Sequence, residues 1–92
     1  MSQQQIALVT GGARGIGEAI CRVLAKAGHK VVVTDISVNA AQSLADELGG
    51  LAVEMDVTCA DSVNAAAASI KQQIGAPTIL VNNAGWDNLM PF

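Results

Sequence analysis

The 92-residue sequence predicts an α/β domain built on a doubly wound parallel sheet, of which it carries the first half in the order β-α-β-α-β-α-β. Three observations lead there. Four short apolar runs are continuous rather than alternating, as in strands covered on both faces. The longer stretches between them repeat apolar residues at helical spacing, and parallel strands need such crossover helices. Glycine and proline breaks separate one element from the next.

The first strand is expected from Ile6 to Val9. Ile16, Ile20, Val23, Leu24 and Ala27 then repeat as the apolar side of a helix that Gly28 closes. A second strand runs from Val31 to Thr34. Ser37 or Asn39 caps the next helix, which places Leu44, Ala45 and Leu48 on one side and stops at Gly49-Gly50. The third strand covers Leu51 to Met55. Thr58 and Asp61, spaced as a capping box, open a third helix with Val63, Ala67, Ile70 and Ile74 on one face. It ends at Gly75 before Pro77, and the last strand spans Thr78 to Val81. The run Ala65-Ala66-Ala67-Ala68 reads as close packing of that helix on the sheet, and no linker or second domain interrupts residues 1–92.

Composition narrows the function. At 51% apolar and 14% charged residues the chain is a folded globular unit, not a disordered segment. With five Lys and Arg residues and a pI of about 4.7, it lacks the basic stripe that a nucleic-acid backbone or an anionic membrane surface demands. No basic n-region precedes the first short apolar run, so the default compartment is the cytoplasm. Cys21 and Cys59 stand far apart with no Cys-x-x-Cys, which gives no support to a disulfide or metal site and reads as two ordinary buried residues. His29, the single histidine, suits a cationic or hydrogen-bonding role at a helix end better than catalysis.

The chemistry sits at the first turn. The first strand leads directly into Thr10-Gly11-Gly12-Ala13-Arg14-Gly15-Ile16-Gly17 and then a helix, the context of a dinucleotide phosphate loop. Gly11 would make the tight turn, Gly15 would let backbone N–H groups approach a pyrophosphate, and Gly17 would permit close packing of the helix. Asp35, at the end of the second strand, is placed to accept hydrogen bonds from the adenosine ribose hydroxyls. Its other reading is a cap for the following helix. Glu18 stands where a triphosphate-binding loop needs lysine, which disfavours nucleotide hydrolysis. A methyltransferase built on the same Rossmann layout stays open on these features alone.

Thr10 to Gly17, Asp56-Val57 and Asn82-Asn83-Ala84-Gly85 together resemble the short-chain dehydrogenase/reductase family, in its compact single-domain branch. The motifs follow the family's order over essentially the whole chain, and in combination they displace the methyltransferase. The resemblance implies a Rossmann fold and NAD(P)-dependent hydride transfer between nicotinamide and a secondary alcohol or ketone. It also implies that Ile16 offers its N–H to the pyrophosphate, that Asp56 reaches the adenine amino group with Val57 beside the ring, and that Asn83, Ala84 and Gly85 follow the adenine-side ribose. Asn82 is expected to steady the central sheet.

Asp35 would bind free ribose hydroxyls and repel a 2'-phosphate, which favours NAD. Arg14 is similar to a basic residue that some NADP-using members employ, although it also fits a surface charge or a pyrophosphate partner. Ile36 occupies the position where many NADP enzymes place a second basic residue. NAD is therefore the preferred cofactor and NADP the second choice.

The chain has no tyrosine and is expected to end at Phe92 before the family's Ser and Tyr-x-x-x-Lys, so no residue is assigned a catalytic role, and no metal site is expected. The expectation is that residues 1–92 are the N-terminal cofactor-binding part of a longer dehydrogenase, inactive by themselves, with the last strand left as an open apolar edge. Homo-oligomer contacts would belong to the longer chain. Trp86 reads as core or interface rather than pocket lining, and the tail is similar to members acting on 3-oxoacyl or hydroxyacyl thioesters. The alternative is a non-catalytic dinucleotide-binding module or a degenerate fragment.

Overall fold

The computed structural model describes residues 4–13 and 15–83. Seven elements alternate as expected: β1 (Ile6–Thr10), α1 (Gly15–Lys26), β2 (Lys30–Asp35), α2 (Val38–Leu48), β3 (Leu51–Glu54), α3 (Ala60–Gln73) and β4 (Ile79–Val81). The strands form one parallel sheet in the order β3-β2-β1-β4. Thr10 pairs with Thr34 and Asp35 with Glu54, so the carboxyl ends of β1, β2 and β3 finish nearly level. That alignment brings the turns after three strands to one rim.

Both faces of β1 and β2 are covered, which is why these strands read as unbroken apolar runs. On one face Val9, Val31 and Val33 pack against Cys21 of α1 and Ala41, Leu44 and Ala45 of α2. On the other, Leu8 and Val32 meet Met55 and Ala66 and Ile70 of α3. Alternate residues of β1 and β2 thus serve opposite cores, the consequence of the two-residue strand period. Leu80 of β4 is 63% exposed, and among the described residues β4 pairs with β1 alone.

Several local expectations change. In α1 the buried residues are Gly17 and Cys21, with Ile20, Leu24 and Ala25 beside them, whereas Ile16 and Val23 are exposed. The helix rests on its small residues because these let its axis approach the sheet, and Ile16 and Val23 turn outward. Strand β1 reaches Thr10 and β2 gains Lys30 and Asp35, while Met55 falls just beyond β3 yet still donates its N–H to Asp35 O at 3.1 Å. Ser37 is the N-cap residue of α2 without a side-chain bond, and Gly49 closes the helix in the left-handed region at φ 70°.

The capping box before α3 does not form. Cys59 holds the N-cap position, with no side-chain bond to the helix, and the Thr58 hydroxyl turns back to Asp56 Oδ1 at 2.6 Å. Donating to the carboxylate two residues away orients the Thr58 hydroxyl toward Asp56 and away from the helix N–H groups it would otherwise cap. Of the four consecutive alanines only Ala66 is buried, because a helix with one covered face turns its neighbours away. His29 takes a hydrogen-bonding role, its Nδ1 accepting the Gln5 N–H at 3.1 Å.

The cysteines also separate. Cys21 is buried and donates its S–H to Gly12 O at 3.6 Å, but Cys59 is exposed, which corrects the reading of both as interior residues. Burial, with a smaller contribution from Glu18, pushes the Cys21 thiol up to about 11. An alkylating reagent at neutral pH should therefore modify Cys59 in the folded protein and reach Cys21 only in denaturant. Peptide mapping by mass spectrometry checks this, and native labelling of Cys21 would contradict the packing described.

Candidate functional site

The carboxyl rim of the sheet gathers the residues that the sequence singled out. The turn after β1 is tied to β2 by two bonds: Gly12 N–H donates to Thr34 O at 2.9 Å, and Ala13 N–H donates to Asp35 Oδ2 at 3.2 Å. Asp35 is only 6% exposed, and its other oxygen accepts the Ser37 N–H at 3.1 Å. Both readings of Asp35 thus have geometric content, since it holds the start of α2 and also stands beside the glycine-rich turn. Each carboxylate oxygen has a second lone pair, which leaves acceptor capacity for hydroxyl donors.

Gly11 and Gly15 both adopt φ 62°, and a Cβ built on Gly15 would meet nothing within 4 Å. Next to it lies the first turn of α1, whose leading N–H groups have no partner within the helix. Ile16, at 59% exposure, keeps its side chain outside the core at this point. Open space, a left-handed glycine and the positive end of a helix dipole fit a pyrophosphate.

Gly17 has the opposite surroundings. A Cβ there would lie 2.2 Å from Gly11 O and 2.7 Å from Asn83 Nδ2. The close helix-sheet packing expected at Gly17 takes the form of an approach to the glycine turn and the segment after β4. Asn83 donates from Nδ2 to Gly11 O at 3.1 Å, and its N–H donates to Thr10 Oγ1 at 2.9 Å. The Thr10 hydroxyl in turn donates to Val81 O at 3.2 Å. The bracing role that the sequence gave to Asn82 therefore falls to Asn83, while Asn82 is exposed.

Thr10, Val57 and Asn82 help to line a cavity of about 280 Å³, together with Leu8, Met55, Val63, Ala67 and Leu80. Asp56 stands half-buried at its edge of the rim, and Thr58 donates both its N–H, at 2.9 Å, and its hydroxyl to Asp56 Oδ1. The Thr58 hydroxyl first, and then its backbone N–H, hold the Asp56 carboxyl below its ordinary value of 3.8. Ile36 is 66% exposed beside Asp35. Arg14, Ala84 and Gly85 lie outside the described residues, as does Trp86.

Sequence reasoning missed Gly12, Thr10, Thr58 and Ser62. The Asp56-x-Thr58 spacing is that of an Asx turn and was the available sign for Thr58. Among the described residues no group of three His, Cys, Asp or Glu side chains is placed to hold a metal ion, and no helix is long and apolar enough to cross a membrane.

A parallel sheet in the order 3-2-1-4 with a glycine-rich first turn and an acidic residue ending the second strand defines the first half of a Rossmann-type dinucleotide-binding fold. Residues 5–92 match the family model described as short chain dehydrogenase, and the chain belongs to that family. It is 46% identical over 90 residues to the 3-oxoacyl-[acyl-carrier-protein] reductase FabG of Escherichia coli (strain K12), covering 94% of this chain and 37% of that protein. Oxidoreductase UcpA of Salmonella typhimurium is 49% identical over 84 residues, covering 86% of this chain and 32% of that protein. A crystal structure described as ribose-5-phosphate isomerase from Brucella melitensis 16M superposes with a TM-score of 0.84 at 40% identity, over 88% of this chain and 32% of the other. The chain thus spans well under half the length of these relatives and corresponds to their N-terminal part.

Proposed function

We propose that the chain is the cofactor-binding part of an NAD-dependent oxidoreductase that moves hydride between nicotinamide and a secondary alcohol or ketone. The observation that carries this reading is the Ala13 N–H to Asp35 Oδ2 bond at 3.2 Å, which joins the pyrophosphate turn and the acidic strand end into one site. NAD, when bound, supplies the hydride donor or acceptor.

This chain's residues bind and orient. The turn containing Gly11, Arg14 and Gly15 receives the pyrophosphate with the Ile16 N–H, and Gly17 lets α1 begin close enough for it. Asp35 accepts the adenosine ribose hydroxyls and repels a 2'-phosphate, and the exposed Ile36 adds no charge to reverse that preference. Asp56 and Val57 receive the adenine, and Asn83, Ala84 and Gly85 follow the ribose. Proton transfer is assigned to none of these side chains. The likeness to a 3-oxoacyl-[acyl-carrier-protein] reductase supports a 3-oxoacyl or hydroxyacyl thioester as the substrate class.

Calorimetric titration of the protein produced from its native gene with NADH and NADPH tests the cofactor reading. NADH should bind about tenfold more tightly or better, the size of one hydrogen bond to a charged acceptor. Equal affinity, or preference for NADPH, would overturn the role given to Asp35.

A further inference from the structure

Thr58, read from the sequence as part of a helix cap, carries a different role together with Ser62. The Asp56 N–H donates to Ser62 Oγ at 2.9 Å, so the first turns of α3 fix its backbone. Its Oδ1 takes two donors from Thr58, at 2.9 and 2.6 Å, so its side-chain torsion is fixed as well. Among the described residues Oδ2 takes no hydrogen bond, and Val57, the next residue, lines the apolar cavity. The arrangement uses one oxygen as an anchor and leaves the other as an oriented acceptor.

We infer that Thr58 and Ser62 are positioning residues that aim Asp56 Oδ2 at the amino group of the adenine ring and thereby make the site read adenine against a purine carrying oxygen at that position. The inference rests on the dinucleotide reading above. A carboxylate oxygen accepts only, so the amino group of adenine satisfies it, whereas the carbonyl of hypoxanthine places a second acceptor against it. Because Thr58 keeps the carboxyl below its ordinary value, Asp56 remains an acceptor throughout the neutral and mildly acidic range.

The test compares NADH with reduced nicotinamide hypoxanthine dinucleotide, by calorimetry, on the protein from its native gene and on Thr58→Val, Thr58→Ser and Ser62→Ala. The unaltered protein should prefer the adenine form about tenfold or more, the worth of one hydrogen bond to a charged acceptor. Thr58→Val and Ser62→Ala should lower that preference to about threefold or less while hypoxanthine binding changes little, and Thr58→Ser should keep it. In Thr58→Val, carboxyl NMR should show the Asp56 titration moving up toward its ordinary value.

Equal weakening of both dinucleotides would mean that the two residues only hold the fold, and would overturn the proposal. So would an unaltered protein that binds both forms equally. Binding of neither dinucleotide by the folded protein would be a different failure, one that removes the dinucleotide reading and this inference with it.

Discussion

Replacing Gly17 with alanine should cost about 3 kcal/mol of stability, at the upper end for overpacking, and should abolish dinucleotide binding. The added methyl would sit 2.2 Å from Gly11 O and 2.7 Å from Asn83 Nδ2. One neighbour is backbone and the other is already bonded to that same carbonyl, so relief requires α1 to withdraw from the turn. Gly15→Ala provides the contrast. Its methyl meets nothing within 4 Å, so the cost is the left-handed backbone alone, about 1 to 2 kcal/mol, while the methyl occupies the space assigned to the pyrophosphate. Denaturant unfolding and NADH titration of the two variants should therefore separate a packing glycine from a ligand-facing one. Similar unfolding losses in both would contradict the assignment.

The second large effect is expected at Asp35. Asp35→Ala removes the acceptor for Ala13 and Ser37 together with the proposed partner of the ribose hydroxyls. NADH affinity should fall by about 1 to 3 kcal/mol and NADPH affinity by less, since the variant also loses the charge that opposes a 2'-phosphate. Stability should fall by a further amount on the order of 1 to 3 kcal/mol, because two backbone N–H groups near a buried carboxylate lose their partner. Equal loss for the two cofactors would leave Asp35 as a loop anchor only.

The layout of the fold was legible because the two central strands are buried on both faces and the helices between strands repeat apolar residues. Alternate residues of Ile6–Thr10 and Lys30–Asp35 feed two cores, which an unbroken apolar run announces. The glycine turn and Asp35 were legible because each position has a narrow backbone or charge requirement. Less visible was the choice between close alternatives of similar energy. Thr58 had two acceptable bonding schemes, a helix cap and an Asx turn, and the ionised acceptor of Asp56 prevailed. Asn82 and Asn83 are the same residue type in sequence, and the short β4 decides which of them faces Gly11. In α1 the closest contact is made by Gly17 and Cys21, which a reading weighted to large apolar side chains passes over.

The central claim is that one site on the carboxyl rim joins the glycine turn, Asp35 and Asp56 around a single dinucleotide. A crystal structure of the NADH complex tests it most directly. The account predicts the pyrophosphate against Gly15 and the Ile16 N–H, with the adenosine ribose hydroxyls about 3 Å from the Asp35 carboxylate and the adenine beside Val57. A dinucleotide bound away from this rim, or one whose ribose hydroxyls leave Asp35 bonded to Ala13 and Ser37 alone, would contradict it.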